Sequence, residues 1–131
     1  MDAEYFASTG DFRRMVLDAA IACEIEKDKS FECLWRCNRT GQYRRGKAQS
    51  GYELPRLLDA DLERLAGKSL RVDEPEVFER IQNLWNARGN VAHGEPAQFR
   101  TTSGIEAVSS HSRQLLDGAA SCVQWLRHTH L

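Results

Sequence analysis

Periodicity constrains this chain most. Apolar residues recur at helical spacing through nearly its whole length, while period-2 runs of β-branched residues, the mark of strands, are absent. The first long segment, FRRMVLDAAIACEIEKDKSFECLW, has Asp11 or Thr9 as its cap and is expected to run as one helix to about Trp35. The stretch RCNRTGQYRRGKAQSGYE then carries turn residues without usable periodicity. Pro55 opens a shorter helix with Leu58, Leu62 and Leu65 on one stripe and Gly67 as its stop. A third helix begins near 73–75 and carries Val77, Phe78, Ile81, Leu84 and Trp85. The last is read from a capping box, Ser103-x-x-Glu106, and a stripe of Ile105, Val108, Leu115, Leu116, Ala119, Val123 and Leu126. The expectation is an all-α fold, one domain over residues 1–131, built as a bundle of four main helices with room for an additional short helix.

Composition narrows the function classes. A chain of 131 residues buries a core without staples. Its net charge of -1 argues against a surface that coats nucleic acid, though not against a local basic patch. No apolar run approaches the roughly 18 residues of a membrane span. The opening MDAEYFASTGDF has neither a basic nor an apolar leader region, so a cytoplasmic protein with reduced thiols is expected. Cys23, Cys33, Cys37 and Cys122 match no common zinc spacing, and neither a metal nor another cofactor is expected. The sequon at 38–40, NRT, is read as chance.

Some residues do not suit a plain bundle. At 100° per residue Phe78, Ile81, Trp85 and Arg88 share a stripe, which aims an arginine at an apolar face. A buried guanidinium is costly unless paired. The first helix offers partners: Glu24 and Asp28 lie at i, i+4 inside its stripe of Leu17, Ala20, Ile21, Phe31 and Trp35. Beyond Arg88 the chain turns at GNVAHGE, with a glycine on each side of His93. The plain readings are a structural Arg–carboxylate pair and a histidine against the last carbonyls of a helix. His128 and His130 near the C-terminus, His111 on a polar stretch, and Trp125 and Trp85 as packing aromatics need no special role.

Arg88 and His93 together spell R-x4-H within RIQNLWNARGNVAHGEP. Here the chain resembles the HEPN superfamily, small helical domains whose ribonuclease members carry an R-x4-6-H motif at a dimer interface. The opening helix, LDAAIACEIEKD, is also similar to that family's first helix, which often holds an acid in an apolar setting. In active members the position after the arginine is usually polar; here it is Gly89, with Asn90 one place later.

The resemblance implies metal-independent RNA cleavage, in which the 2′-OH attacks the adjacent phosphate and expels the 5′-oxygen. An imidazole serves as acid or base near neutrality, and a guanidinium offers a permanent charge and a fork matched to phosphate oxygens. Two proton transfers need two histidines, which a homodimer supplies. On this reading Arg88 and His93 are catalytic, while Glu24, Asp28 and Asn90 support them. The glycines would give backbone and substrate close access to His93. The segment RCNRTGQYRRGK at 36–47 adds five basic residues and no acid, flanked by Trp35 and containing Tyr43. Arg36, Arg39, Arg44, Arg45 and Lys47 with those rings form a candidate track for single-stranded RNA or tRNA. The expectation is a toxin or defence ribonuclease. The alternative is a catalytically silent dimerisation or RNA-binding module of the same fold, or a partner of a nucleotidyltransferase-like antitoxin protein.

Overall fold

The structure, a computed structural model, describes residues 2–38 and 54–129, with the backbone alone for 34–38. It is predominantly helical. A short helix α1 (Ala3–Ser8) precedes the long α2 (Phe12–Asn38), whose first turn is capped by the Asp11 carboxylate accepting from the Arg14 amide at 3.3 Å. Helix α3 (54–66) joins Leu54–Arg56 and Leu62–Ala66 through a π-helical turn, Leu57–Asp61. It ends at Gly67, whose φ of 70° is the left-handed geometry that stops helices. A single turn, α4 (Leu70–Asp73), leads through Pro75 into α5 (Pro75–Ala92). A hairpin, β1 (Gln98–Thr101) and β2 (Gly104–Ala107), then leads into α6 (Val108–His128). The four main helices expected from the sequence are α2, α3, α5 and α6; α1 and α4 are short additions.

Helices α2, α5 and α6 pack against one another, α1 lies against α2, and α3 and α4 cover α5. Their contacts bury Met15, Val16, Ala19 and Cys23 from α2, Ile81, Leu84 and Ala87 from α5, and Leu115, Ala119 and Cys122 from α6. Leu58 and Leu62 of α3 close the core, as their stripe predicts, with Leu65 partly buried. Glu26 and Arg127 tie α2 to α6 at 3.2 Å. Where α5 crosses α6, a Cβ on Gly118 would lie 2.5 Å from the Arg80 Cβ, so only glycine suits that approach.

Two expectations give way. Ser103 and Glu106 do not cap a helix: residues 98–107 are the antiparallel hairpin, pairing Gln98 with Ala107 and Thr101 with Gly104. The Thr101 hydroxyl organises the turn, accepting from the Ser103 amide at 3.3 Å and donating to the Gly104 carbonyl at 3.1 Å. Ile105, read as core, is 59% exposed on β2, and α6 starts at Val108. The second correction concerns α2. Ala20 and Phe31 are buried as expected, but Leu17 and Ile21 face outward. The helix carries apolar residues on two faces, and the core takes the one that contains Met15, Val16, Ala19 and Cys23.

Candidate functional site

Helix α5 buries Val77, Phe78, Ile81, Leu84, Ala87 and Val91, which turns Trp85 and Arg88 to the edge of the core. Arg88 is neither sunk nor free: about a third of its side chain (32%) is exposed, and its Nη2 lies 3.2 Å from Glu24 Oε1 on α2. The approach is ionic, since that buried oxygen receives no aligned hydrogen bond. The guanidinium also sits 5.0 Å from the centroid of the Trp85 ring, on its own helix three residues earlier. Two contacts from different elements thus fix one arginine. The second acid expected beside it is elsewhere. Asp28 bonds Lys27 Nζ at 2.6 Å, and Lys27, fully buried, is the charge the sequence reading passed over. Its spacing from Cys23 and Phe31 on the core face of α2 is the signal that could have found it.

Helix α5 ends in a Schellman turn around His93. The Glu95 amide donates to the Asn90 carbonyl at 2.8 Å and the Gly94 amide to Val91 at 3.0 Å, while Gly94 takes φ 79°. Gly94 is therefore explained by helix termination rather than by access to His93. Arg13 of α2 braces the same turn, donating Nη2 to the Val91 carbonyl at 3.3 Å and Nη1 to that of Glu95. No periodicity in the sequence marks Arg13, because its partners lie about eighty residues away. The outcome is a braced helix end from which the His93 side chain is exposed to solvent.

Gly89 lies half-buried within α5, yet a Cβ there would meet nothing within 4 Å. Asn90 is committed: its Nδ2 donates to the Gln98 carbonyl at 2.7 Å. One turn earlier, Asn86 Oδ1 accepts from the Arg100 amide at 2.9 Å. The two asparagines hold the hairpin to α5, so Asn90 serves the fold, not a neighbour of Arg88. The hairpin in turn gives His111 a setting its sequence does not show. Its ring packs edge-on to buried Phe99, with Nε2 3.3 Å from Glu106 and Nδ1 3.2 Å from Gln114.

Of the proposed RNA track, Trp35 and Arg36 fall in the last turns of α2 without described side chains. Arg39, Tyr43, Arg44, Arg45 and Lys47 lie outside the described residues. Among the described residues no group of three His, Cys, Asp or Glu side chains gathers to hold a metal ion, and no helix is long and apolar enough to cross a membrane. Compared with protein families, with curated proteins and with solved structures, the chain matches none. The functional reading therefore rests on its own residues.

Proposed function

We propose that this chain is a metal-independent endoribonuclease of the HEPN type, acting as a homodimer on single-stranded RNA or tRNA, as a cytoplasmic toxin or defence effector held by an antitoxin protein does. The observation that carries the reading is the pairing on one helix of an arginine held by Glu24 and Trp85 with a solvent-facing histidine on a braced end. A guanidinium held on two sides loses little freedom when phosphate oxygens arrive, and its remaining donors suit the charge that builds on a phosphorane. His93, exposed at the C-terminal end of α5, can be reached by a substrate and serve as an acid for the 5′-oxygen. A second copy supplies the base for the 2′-OH. Wild type should cut a mixed-sequence RNA, leaving 2′,3′-cyclic phosphate and 5′-hydroxyl ends, while His93→Ala and Arg88→Ala should each cut at least about a hundredfold more slowly.

One observation favours the silent module of the same fold. Asn90 is spent on the hairpin, and Gly89 offers no side chain beside Arg88. If wild type binds RNA without cutting it, and Gly89→Asn gains cleavage, the silent reading holds.

A further inference from the structure

Cleavage by two histidines calls for two copies, and α2 carries a surface on which they can meet. We propose that the α2 helices of two copies pack antiparallel about a twofold axis through Ile21, and that the partner's Asp18 thereby joins Glu24 in holding Arg88. The association is argued from α2 alone; its part in completing a cleavage site rests on the ribonuclease reading.

The outward face of α2 is unusual for a monomer. Leu17, Ile21 and Ile25 are 37%, 50% and 51% exposed and follow one another at four-residue spacing, so they form one strip rather than scattered contacts. The opposite face, with Met15, Val16, Ala19 and Cys23, is already buried in the core. The exposed strip is therefore a second apolar seam, and it ends in opposite charges, each also paired within its own copy: exposed Arg14, 3.5 Å from Asp11, before it and exposed Asp28, 2.6 Å from Lys27, after it.

The positions of those charges select the partner and its direction. Arg14 and Asp28 each lie seven residues from Ile21, a rise of about 10.5 Å on either side. A twofold axis through Ile21 reverses the helix direction. It sets the partner's Ile25 over Leu17 and the partner's Asp28 over Arg14, and it repeats both pairs by symmetry. A parallel pairing would oppose Arg14 to the partner's Arg14 and Asp28 to the partner's Asp28, which is unfavourable at both ends. The seam is thus complementary to itself in one direction only, so the occupant it fits is a second copy of this chain.

The same operation brings the partner's Asp18 over Glu24. Two carboxylates alone would repel, but Arg88 lies 3.2 Å from Glu24 and has donors left over. Asp18 makes no hydrogen bond or ion pair among the described residues, and its Oδ2 is buried without a donor. That oxygen is covered by the chain itself, and it is the other, more open side of the half-exposed Asp18 carboxylate that the partner's guanidinium reaches with its donors. Asp18 is then a positioning residue contributed across the interface.

Sedimentation equilibrium on the full chain tests this. Wild type should be a dimer, and Ile21→Asp, a change at an exposed position, should sediment as a monomer with a nearly unchanged unfolding midpoint. Arg14→Asp should weaken association about tenfold, because the pair it breaks occurs twice, while Arg14→Lys, which keeps the charge, should stay within about threefold of wild type. If Ile21→Asp fails to fold, Ile21→Cys in a chain with Cys33→Ser and Cys37→Ser decides instead. Cysteines on the axis should form a linked dimer under mild oxidation, and Val72→Cys in the same background should not. A monomeric wild type, a dimer indifferent to Ile21→Asp, or an Arg14→Asp chain that associates as tightly as Arg14→Lys overturns the proposal. Asp18→Asn should leave the dimer intact and slow cleavage through kcat, with KM little changed. A dimer of this register that cuts no RNA keeps the interface and sinks the ribonuclease reading; a cutting dimer that ignores Ile21→Asp does the reverse.

Discussion

The Glu24 carboxylate lies 3.2 Å from the Arg88 guanidinium, joining α2 to α5 at the edge of the core with both side chains about a quarter to a third exposed (24% and 32%). At that exposure the pair contributes at most about 1 kcal/mol to stability. Its larger effect is on where the guanidinium sits. Glu24→Gln should therefore shift the unfolding free energy by no more than about 1 kcal/mol and slow RNA cleavage by about tenfold or more. Urea unfolding and single-turnover cleavage on the same preparation check this. Loss of cleavage in step with loss of folded protein would contradict it.

Two glycines should respond in opposite directions to the same substitution. Gly89 has open space around a would-be Cβ and ordinary helical surroundings, so Gly89→Ala should stabilise by about 0.5–1 kcal/mol. Gly118 faces the Arg80 Cβ at 2.5 Å where α5 and α6 meet, so Gly118→Ala should destabilise by about 1–3 kcal/mol. Thermal unfolding of both variants decides the point.

Acid should weaken the α3–α4 junction. The Ser69 hydroxyl, donating to Asp59 Oδ1 at 2.7 Å, and then Arg71 hold the Asp59 carboxyl below its usual value, against partial desolvation. A depressed carboxyl contributes stability above its unfolded value, and that contribution is lost as pH falls through the folded one. Ser69 also caps α4 by accepting from the Val72 amide at 3.4 Å. Ser69→Ala should cost about 1–2 kcal/mol at pH 7, and the gap from wild type should narrow below pH about 4. Urea midpoints measured across that range give the test.

Thiol chemistry should follow burial. Cys122 is held well above the ordinary thiol range by the neighbouring Cys23 thiol and by burial, and both residues are fully buried. Cys33 is exposed. Alkylation of the native protein, mapped by mass spectrometry, should label Cys33 rapidly and reach Cys23 and Cys122 only on unfolding.

Much of this was legible in the sequence, and the failures have physical causes. Pro55, Gly67, Pro75 and Asp11 mark helix ends because each acts through its own backbone or the next turn, which a sequence records directly. The hairpin escaped because Ser103 and Glu106 satisfy a capping spacing while serving a turn, and Phe99 alone anchors the short β1 in the core. The burial of α2 was ambiguous for another reason. Two apolar stripes lie on one helix, and only the placement of α5 and α6 decides that Cys23 goes inward and Ile21 outward. For the candidate site, the Glu24–Arg88 pair was readable from phase. Asp28 was lost to its neighbour Lys27, and the bracing of the His93 turn by Arg13 was hidden because it depends on tertiary proximity.

The most direct measurement is cleavage of a mixed-sequence RNA oligonucleotide in EDTA by wild type and by His93→Ala, beside the same oligonucleotide with 2′-deoxy sugars throughout. Wild type should cut the RNA, spare the deoxy strand, and lose its activity with His93. A folded wild-type dimer that leaves the RNA intact, or cutting that persists in His93→Ala or on the deoxy strand, would overturn the assignment of His93 to RNA cleavage.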